Sequence, residues 1–313
     1  MARRQKGRPI SGWIAVDKPS GLTAAAVVAR VKRALDAAKV GHGGTLDPLA
    51  TGVLPIALGE ATKTVNYAMD GAKTYTFEVK WGEARDTDDC EGAVIGTSAL
   101  RPDAAAIGAA LPAFTGVISQ VPPDYSAIKV NGQRAYDLAR RKEAVVLAPR
   151  PVHVHSFTLV EILDSDRARF TVDCGKGTYI RALVRDLSLH LGTLGHITAL
   201  RRTRCGIFTE KTAISLANLE ALGDKATDSK VLLPVKTVLD DIPALALTEE
   251  EARRMTSGQA IALWPVVKRS PLTGPTGAGL ADGSAVQAFW GDKLIAVAEV
   301  GNGMVRPVRV LNH

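Results

Sequence analysis

The sequence predicts an α+β protein with one large domain and a small, mostly β module near its C-terminal end. Apolar and polar residues alternate over 75–81, which is the period of a half-buried strand. Apolar residues recur at helical spacing over 27–38, between two strand signals. Short strand signals on both sides of Gly291 and Asp292 predict a hairpin in the module.

The composition is that of an ordinary globular protein. The chain has 313 residues, of which 46% are hydrophobic and 23% charged, and this excludes a disordered or fibrous chain. At about 150 residues per domain, the length favours two domains. There are 39 Lys and Arg residues and 32 Asp and Glu residues, so the net charge is 39 − 32 = +7. This charge favours a polyanionic partner, nucleic acid first; a basic protein without such a partner is the alternative.

The cysteines and the apolar segments indicate the expected compartment. Three cysteines lie far apart with no Cys-x-x-Cys pair, so we expect neither a disulfide framework nor a metal site. The basic start of the chain runs into Pro9 and Asp17 without a long apolar region, which argues against a secretory signal. The longest uncharged stretch, 104–123, is broken by proline and glycine and predicts no membrane span. The expected compartment is a reducing cytoplasm.

Period and turn signals assign the elements of the large domain in chain order. The first strand, 13–16, ends at a turn signal over 17–21, and Thr23 can cap the helix that follows. Residues 41–52 contain four glycines and one proline, which indicates a loop with unusual backbone demands. The other predicted strands are 53–58, 75–81, 125–130, 152–163, 168–174 and 197–208, and the other predicted helices are 60–69, 103–114, 135–142 and 180–191.

The character of the sequence changes after Pro243. An acidic helix start at 248–251 is followed by short strand signals, and the segments 284–290 and 293–300 enclose the hairpin turn. We therefore predict a basic N-terminal arm at 1–9, a large domain at 10–242 and a C-terminal module at 243–313.

Basic residues are concentrated in three segments. The first eight residues contain four of them, which predicts a flexible arm that is either a solvated tail or an RNA contact. Residues 124–152 form a basic excursion, either an RNA clamp or a solvated helix face. Residues 167–211 hold nine basic and three acidic residues, a balance of 9 − 3 = +6, so we expect a positive wall there.

Asp47 is the leading candidate for chemistry in the glycine-rich loop. Pro48 follows it and biases its backbone towards an extended geometry. Gly43 and Gly44 permit close approach of another chain or a ligand. Taken alone, this dipeptide is more often a turn without chemistry. A phosphate-binding reading is weak, because the loop has neither the GxxxxGK[ST] order nor a GxGxxG pattern.

The loop is one of several motifs that occur in a set order. They are VDKPSGLT at 16–23, GHGGTLDPLATGVLPIALGEATK at 41–63, Tyr75 in its strand, QVPPDYSAIKVNGQRAYDLAR at 120–140, GKGTYIRALVRDL at 175–187 and LRRTRCGIF at 200–208. Together, over roughly residues 10 to 240, they resemble the TruB family of tRNA pseudouridine-55 synthases. The resemblance implies a mixed, mainly antiparallel sheet of pseudouridine synthase type. More weakly, it implies that the C-terminal module is a PUA-like RNA-binding domain.

The resemblance also implies a reaction. Enzymes of this kind isomerise a uridine in the T arm of tRNA: the N1–C1′ bond breaks, the base rotates and a C5–C1′ bond forms. The target is stacked in a folded loop, so the base must be flipped out. No cofactor or metal is implied. The implied partner is the T arm of tRNA, with no membrane and no obligate protein partner.

The resemblance assigns catalytic roles to three residues. Asp47 would act as nucleophile at C1′ or assist elimination to a glycal, and the sequence leaves both routes open. Arg181 would pair with Asp47 through a bidentate guanidinium and keep it ionised in a dry pocket. Tyr75 would stack on the flipped base and take the C5 proton. Without the resemblance, the strand pattern makes Tyr75 an ordinary core residue.

The resemblance assigns substrate contacts to five further residues. His42 would fill the space that the flipped base leaves, and Tyr179 would be a second pocket tyrosine. Leu200 would form an apolar pocket wall, although core packing predicts the same environment. Lys18 and Lys63 would lie near the RNA backbone or the floor of the site. A non-catalytic RNA-binding protein that folds tRNA remains the alternative, and a phosphate-loop nucleotide hydrolase rests on the glycines alone.

Overall fold

The computed structural model describes residues 7–126, 128–130, 132–141, 143, 145–228, 230–270 and 280–312. Most of the predicted basic arm at 1–9 therefore lies outside the described residues. Within them, the large domain builds one ten-stranded sheet and the C-terminal module builds a five-stranded sheet. Helices pack against both sheets, so the predicted α+β class is confirmed.

The large sheet is mixed and mainly antiparallel, as the resemblance implied. Its strand order is β14-β1-β3-β12-β4-β11-β10-β7, with β2 on β3 and β13 on β12. Only the β1–β14 and β3–β12 pairs of this sheet are parallel. The strands are β1 (Gly12–Lys18), β2 (Val40–His42), β3 (Thr51–Leu58), β4 (Lys73–Trp81), β5 (Glu83–Arg85), β6 (Val94–Thr97), β7 (Gly116–Gln120), β8 (Lys129–Val130), β9 (Gln133–Arg134), β10 (Arg150–Ile162), β11 (Arg167–Cys174), β12 (Gly195–Cys205), β13 (Phe208–Thr209) and β14 (Ile214–Ser215).

The helices of the large domain are shorter than their sequence signals. Thr23 caps the first one as predicted, because its hydroxyl accepts from the Ala26 amide at 3.0 Å. The predicted helix at 103–114 becomes a 3₁₀ helix from Leu111, since Pro112 cannot donate to an α-helical bond. The helices are α1 (Ala24–Ala34), α2 (Val65–Asp70), α3 (Ala104–Ala110), α4 (Ala135–Arg140), α5 (Ile180–His190) and α6 (Leu216–Leu222).

Three further sequence assignments differ from the structure. The predicted helix at 60–69 is interrupted at Thr64, between a 3₁₀ turn and α2. The predicted strand at 125–130 is reduced to the two residues of β8, because a turn forms where the Ser126 amide donates to the Asp124 carbonyl. The sequence does not predict strand β7, because its apolar and polar residues face the opposite way from those of an ordinary half-buried strand. Val117 is exposed and Gln120 is buried.

The core of the large domain fixes β4 below the glycine-rich loop. The alternating residues of β4 face inwards, confirming the half-buried strand at 75–81. Phe77 stacks on Phe170 of β11 with ring centroids 5.6 Å apart. Helices α1 and α5 cover this face with buried aliphatic side chains, each of which contributes about 1.5–3 kcal/mol on burial. The inward-facing side chains of β4 are therefore held between their neighbours in the sheet and the covering helices.

The C-terminal module has its own sheet and core. Its strand order is β15-β17-β18-β19-β16, and the predicted turn at Gly291 joins β17 to β18. The first strand begins at Ala244, close to the boundary predicted at Pro243. Leu239 packs with module residues Leu294 and Leu311 where the two parts meet. The elements are β15 (Ala244–Ala246), α7 (Glu249–Thr256), β16 (Ile261–Ala262), α8 (Leu263–Arg269), β17 (Ala285–Trp290), β18 (Lys293–Gly301) and β19 (Met304–Val310).

The predicted insertion at 124–152 contains the β8–β9 hairpin and α4. Residues 127, 131, 142 and 144 of this segment lie outside the described residues. Among the helices that the structure describes, none combines the length and the apolar character needed to cross a bilayer.

Gly52, the second residue of β3, provides a test of how tightly the loop is packed. Its φ is +99°, and a Cβ there would lie 2.2 Å from the Arg202 carbonyl oxygen. We expect Gly52→Ala to lower the free energy of unfolding by about 3 kcal/mol, because backbone strain and overpacking add. Gly192 is the matched control, with φ +72° and no atom within 4 Å of its added Cβ. Gly192→Ala should cost about 1 kcal/mol in urea unfolding, and equal losses would contradict the packing argument.

Candidate active site

The glycine-rich loop between β2 and β3 carries Asp47 along the edge of the large sheet. The Gly43 amide donates to the Pro55 carbonyl at 2.8 Å, and Gly44 has φ +124°. After Asp47, the Ala50 amide donates back to the Asp47 carbonyl at 3.1 Å and closes a turn. The glycines therefore allow a backbone path that holds Asp47 between two fixed points.

Lys18, the last residue of β1, holds the loop after Asp47. Its ammonium is buried and donates to the carbonyls of Pro19 at 2.9 Å, Leu22 at 2.6 Å and Pro48 at 3.0 Å. Three donors meet three acceptors, so the ammonium group is fully used. Burial lowers the pKa of Lys18 to about 8, partly opposed by the charge of Asp47. Lys18 thus holds the loop backbone directly after Asp47.

Arg202 of β12 holds the loop before Asp47. Its side chain is buried, and its Nε donates to the Val53 carbonyl at 2.8 Å. Its Nη1 and Nη2 donate to the carbonyls of Thr45 at 3.3 Å and Gly44 at 3.1 Å. Arg202 is not among the site residues predicted from the sequence. Arg202 follows Leu200 by two residues and so lies on the same buried face of the strand. This spacing could have indicated that Arg202 belongs to the site.

Asp47 is paired with Arg181 in the first turn of α5. The Arg181 Nε donates to Asp47 Oδ2 at 2.9 Å, and the guanidinium is almost fully buried. The expected bidentate contact is not formed, because Nη1 donates to the Thr87 carbonyl at 2.8 Å and Nη2 to the Tyr125 carbonyl at 2.9 Å. Burial alone would lower the pKa of Arg181. The negative charges of Asp47, Asp89 and Asp88 raise it by a larger amount, so the pKa is raised overall.

A second carboxylate, that of the buried Asp89, faces the same guanidinium. Its Oδ2 lies 3.7 Å from the Arg181 Nε, and its Oδ1 accepts from the Thr87 hydroxyl at 2.6 Å and the Glu91 amide at 3.0 Å. One helical turn after Arg181, Arg185 forms an ion pair with Asp88 at 3.0 Å. Sequence reasoning missed this acidic loop, which the DTDD run at 86–89 could have signalled.

Tyr75 and Leu200 lie on the buried face of the sheet below the loop. Tyr75 of β4 is the cross-strand neighbour of Arg202, and Leu200 pairs with Phe77. Both are in the main core cluster together with Leu46 of the loop. Burial raises the pKa of Tyr75 to about 12, and the nearby Arg202 guanidinium opposes this. The phenol is therefore neutral at physiological pH, and packing alone would account for much of its environment.

Tyr179 caps α5 next to Arg181 and touches both ends of the insertion. Its amide donates to Gln120 Oε1 at 2.8 Å, and Gln120 Nε2 donates to the Tyr179 carbonyl at 3.1 Å. The Arg150 guanidinium lies 5.1 Å from the centre of the Tyr179 ring and donates to the Gly177 carbonyl at 2.7 Å. Tyr179 is thus fixed at the point where the insertion leaves and rejoins the domain.

His42 and Lys63 differ in their position relative to the pair formed by Asp47 and Arg181. His42 precedes the loop, and its half-buried ring has no partner for Nδ1 among the described residues. Burial lowers its pKa below the ordinary value, and the charges of Arg202 and Arg134 add to this effect. Lys63 instead donates to Glu60 at 2.7 Å and to the Val310 carbonyl of the module at 2.8 Å. The structure therefore places Lys63 at the junction with the module and does not join it to the Asp47 group.

A cleft of about 420 Å³ opens beside the loop, where β12 extends past the start of β3. Its volume is in the range of small-molecule sites. Leu49 and Leu200 line it together with polar residues from the solvent-facing side of the sheet. These lining residues are Ser20, Thr51, Thr76, Glu78, Arg169, Thr198 and Arg201.

The positive charge of segment 167–211 is largely neutralised in the folded protein. Seven of its nine basic residues form ion pairs with carboxylates. Several of these partners, such as Asp17 and Glu78, come from outside the segment, so a local sum of charges did not include them. Arg202 is bound by backbone carbonyls instead. The expected positive wall is therefore wrong for this segment.

Metal ligands are not grouped in the part of the chain that the structure describes, since no three His, Cys, Asp or Glu side chains are placed to hold an ion. The described cysteines, Cys90, Cys174 and Cys205, are free thiols.

The two lysines of the predicted site should respond differently to removal of the ammonium. Lys18→Met leaves three buried carbonyls with one donor fewer each, so we expect a loss of about 2–3 kcal/mol in the free energy of unfolding. Lys63→Met removes a partly exposed pair with Glu60 and one donor to the Val310 carbonyl, and should cost about 1 kcal/mol. Urea unfolding of both variants measures this, and a larger loss for Lys63→Met would contradict the assignment.

The chain matches known proteins along its whole length. Residues 32–180 match the N-terminal domain of TruB family pseudouridylate synthase, and residues 181–240 match the tRNA pseudouridylate synthase B C-terminal domain. A tRNA pseudouridine synthase B of Rhodospirillum rubrum is 56% identical, with 100% of both chains covered. Another from Bradyrhizobium diazoefficiens is 54% identical, covering 99% of this chain and 90% of the relative.

A solved structure supports the fold over both domains. The structure of an H/ACA RNP bound to a substrate RNA containing 2′-deoxyuridine aligns with a TM-score of 0.71 at 24% identity. The alignment covers 100% of this chain and 92% of the other. The resemblance seen in the sequence motifs is thereby confirmed. The chain belongs to the TruB family of pseudouridylate synthases.

Proposed function

We propose that this protein isomerises uridine to pseudouridine at position 55 in the T loop of tRNA, in the cytoplasm. The observation that carries the proposal is a partly exposed carboxylate, Asp47, held by the buried Arg181 in a chain of the TruB family. A protein that only binds RNA needs no such pair, because burying a guanidinium is costly. The geometry therefore favours chemistry over binding alone.

The two oxygens of Asp47 have different surroundings, which suits attack on a sugar carbon. Arg181 donates to Oδ2, whereas no described residue donates to Oδ1. In the proposed reaction, Oδ1 attacks C1′ or assists elimination to a glycal, and the electron pair of the N1–C1′ bond leaves with the base. The base rotates and C5 bonds to C1′, either as the Asp47–C1′ bond breaks or, in the glycal route, as the proton removed from C2′ returns. The C5 proton then leaves and N1 takes up a proton.

The flipped base would be received by the residues below the loop. Leu200 and Tyr75 offer an apolar wall and an aromatic ring, and stacking of a base is worth about 1–3 kcal/mol. The raised pKa of Tyr75 means that its phenolate is scarce at neutral pH. Tyr75 therefore takes the C5 proton only if its own proton leaves in the same step. His42, which its lowered pKa favours as a neutral ring, would fill the space that the base leaves in the T loop.

The insertion would close over the T arm. Arg134 and Arg140 both lie over the Tyr136 ring, with guanidinium carbons 5.9 and 5.4 Å from its centre. Both are exposed, as is Lys129, and none of the three has an ion-pair partner among the described residues. These cations are available to phosphates, so RNA affinity should fall with salt by about 0.9 log units per log unit of salt for each duplex contact.

Asp47→Asn tests the chemistry directly. We expect turnover to vanish, because an amide neither attacks C1′ nor carries charge, while affinity for T-arm RNA changes less than about threefold, because Asp47 makes no phosphate contact in this scheme. Tritium release from RNA carrying 5-tritiated uridine measures turnover, and filter binding measures affinity. Asp166→Asn, which breaks an exposed pair with Arg101, is the control and should match the wild type. Release by Asp47→Asn at the wild-type rate would refute the role of Asp47.

The position of the product tests the substrate. Pseudouridine mapping in tRNA from cells lacking this protein should show the loss of the modification at position 55 and nowhere else. In vitro, replacing that uridine by cytidine in a T-arm transcript should abolish tritium release. A wild-type protein that releases no tritium in a single turnover would instead support the non-catalytic alternative.

A further inference from the structure

We infer that Arg202 is a positioning residue for the reaction: it joins the loop that carries Asp47 and the strand that carries Tyr75 into one fixed unit. The inference deepens the proposed function and rests on it. Arg202 is not assumed to touch the RNA, since its side chain is buried and its donors are occupied by the protein.

The environment of Arg202 is unusual for a buried arginine. Its residue is 1% exposed, yet no carboxylate lies within ion-pair distance of its guanidinium among the described residues. Its neighbours on the same strand, Arg201 and Arg204, are both paired with carboxylates. Burying an arginine without a counter-ion is costly, and an apolar side chain would fill the same space. Packing alone therefore does not account for an arginine here.

The three acceptors of Arg202 show what it holds. Val53 belongs to β3, whereas Gly44 and Thr45 belong to the loop shortly before Asp47. A Cβ added at Gly44 would lie 3.5 Å from Nη1, so the loop backbone passes directly over the guanidinium. A planar fork with separated donors reaches all three carbonyls at once, which a single ammonium group cannot do. Arg202 thus sets the distance between the loop and the sheet.

The same guanidinium also acts on Tyr75. The two residues are direct neighbours on β12 and β4, and the charge of Arg202 partly offsets the rise that burial causes in the pKa of Tyr75. Arg202 therefore holds the loop before Asp47 while lying directly beside Tyr75.

Arg202→Lys tests the inference, with Arg204→Lys as the matched control on the same strand. Arg204 is half-exposed and pairs with Asp173 at 2.6 Å, outside the site. For each variant we would measure the unfolding midpoint, the affinity for T-arm RNA and the single-turnover rate at saturating RNA. We expect Arg202→Lys to bind RNA within about threefold of the wild type but to react about 100-fold more slowly, because a small displacement of reacting groups has an effect of this size. Arg204→Lys should change neither quantity by more than about threefold.

The split between rate and affinity separates positioning from general stability. A residue that only supports folding would lower the active fraction, so measured binding and turnover would fall in parallel. That parallel loss overturns the inference, and so does a folded Arg202→Lys variant with the wild-type rate. If Arg202→Lys does not fold, Arg202→Gln is measured in the same way. If neither variant folds, Arg202 is required for folding, and the inference is overturned. An inactive wild type would refute the proposed function itself, so the two failures are distinguishable.

Discussion

The structure of the site depends on one buried guanidinium. Arg181 is almost fully removed from water, so each of its donors needs an acceptor within the protein. The acceptors come from three separate segments: Asp47 in the glycine-rich loop, Thr87 in the acidic loop and Tyr125 at the start of the insertion. Desolvation of one side chain thus forces three loops to meet at the N-terminal end of α5. The catalytic carboxylate, if it acts as proposed, has its position set by the same requirement.

Positive charge in this protein has two uses that composition does not separate. Lys18, Arg181 and Arg202 donate to backbone carbonyls and hold loops in place. Lys129, Arg134 and Arg140 of the insertion are exposed and form no ion pair with a described residue, which leaves them for an external anion. A net charge of +7 correctly favours a polyanionic partner, but it does not locate the binding surface. The segment with the largest local excess, 167–211, is largely neutralised by carboxylates, several of which come from other segments.

What could be predicted from the sequence was local. The alternation over β4 and the helical spacing of α5 depend on neighbouring residues, and both elements were found. The strand β7 was missed because its buried position is a glutamine that serves Tyr179, a partner 59 residues away. Arg202 was missed for the same reason, since its acceptor Val53 lies 149 residues earlier. Arg181 contacts Asp47 through one nitrogen and not two, because its other two nitrogens donate to the carbonyls of Thr87 and Tyr125. The spacing of the motifs does not encode these distant partners.

The insertion and the loop differ in how they are held, and this difference suits a site that must admit a large folded RNA. The loop is fixed on both sides of Asp47 by buried cations. The described part of the insertion is held near its two ends, where the Tyr125 carbonyl accepts from Arg181 and Arg150 donates to the Gly177 carbonyl. Between these ends, its hairpin and helix bear exposed cations. The loop that carries Asp47 is thus preorganised within the protein itself, which is the arrangement that favours catalysis by fixed charges.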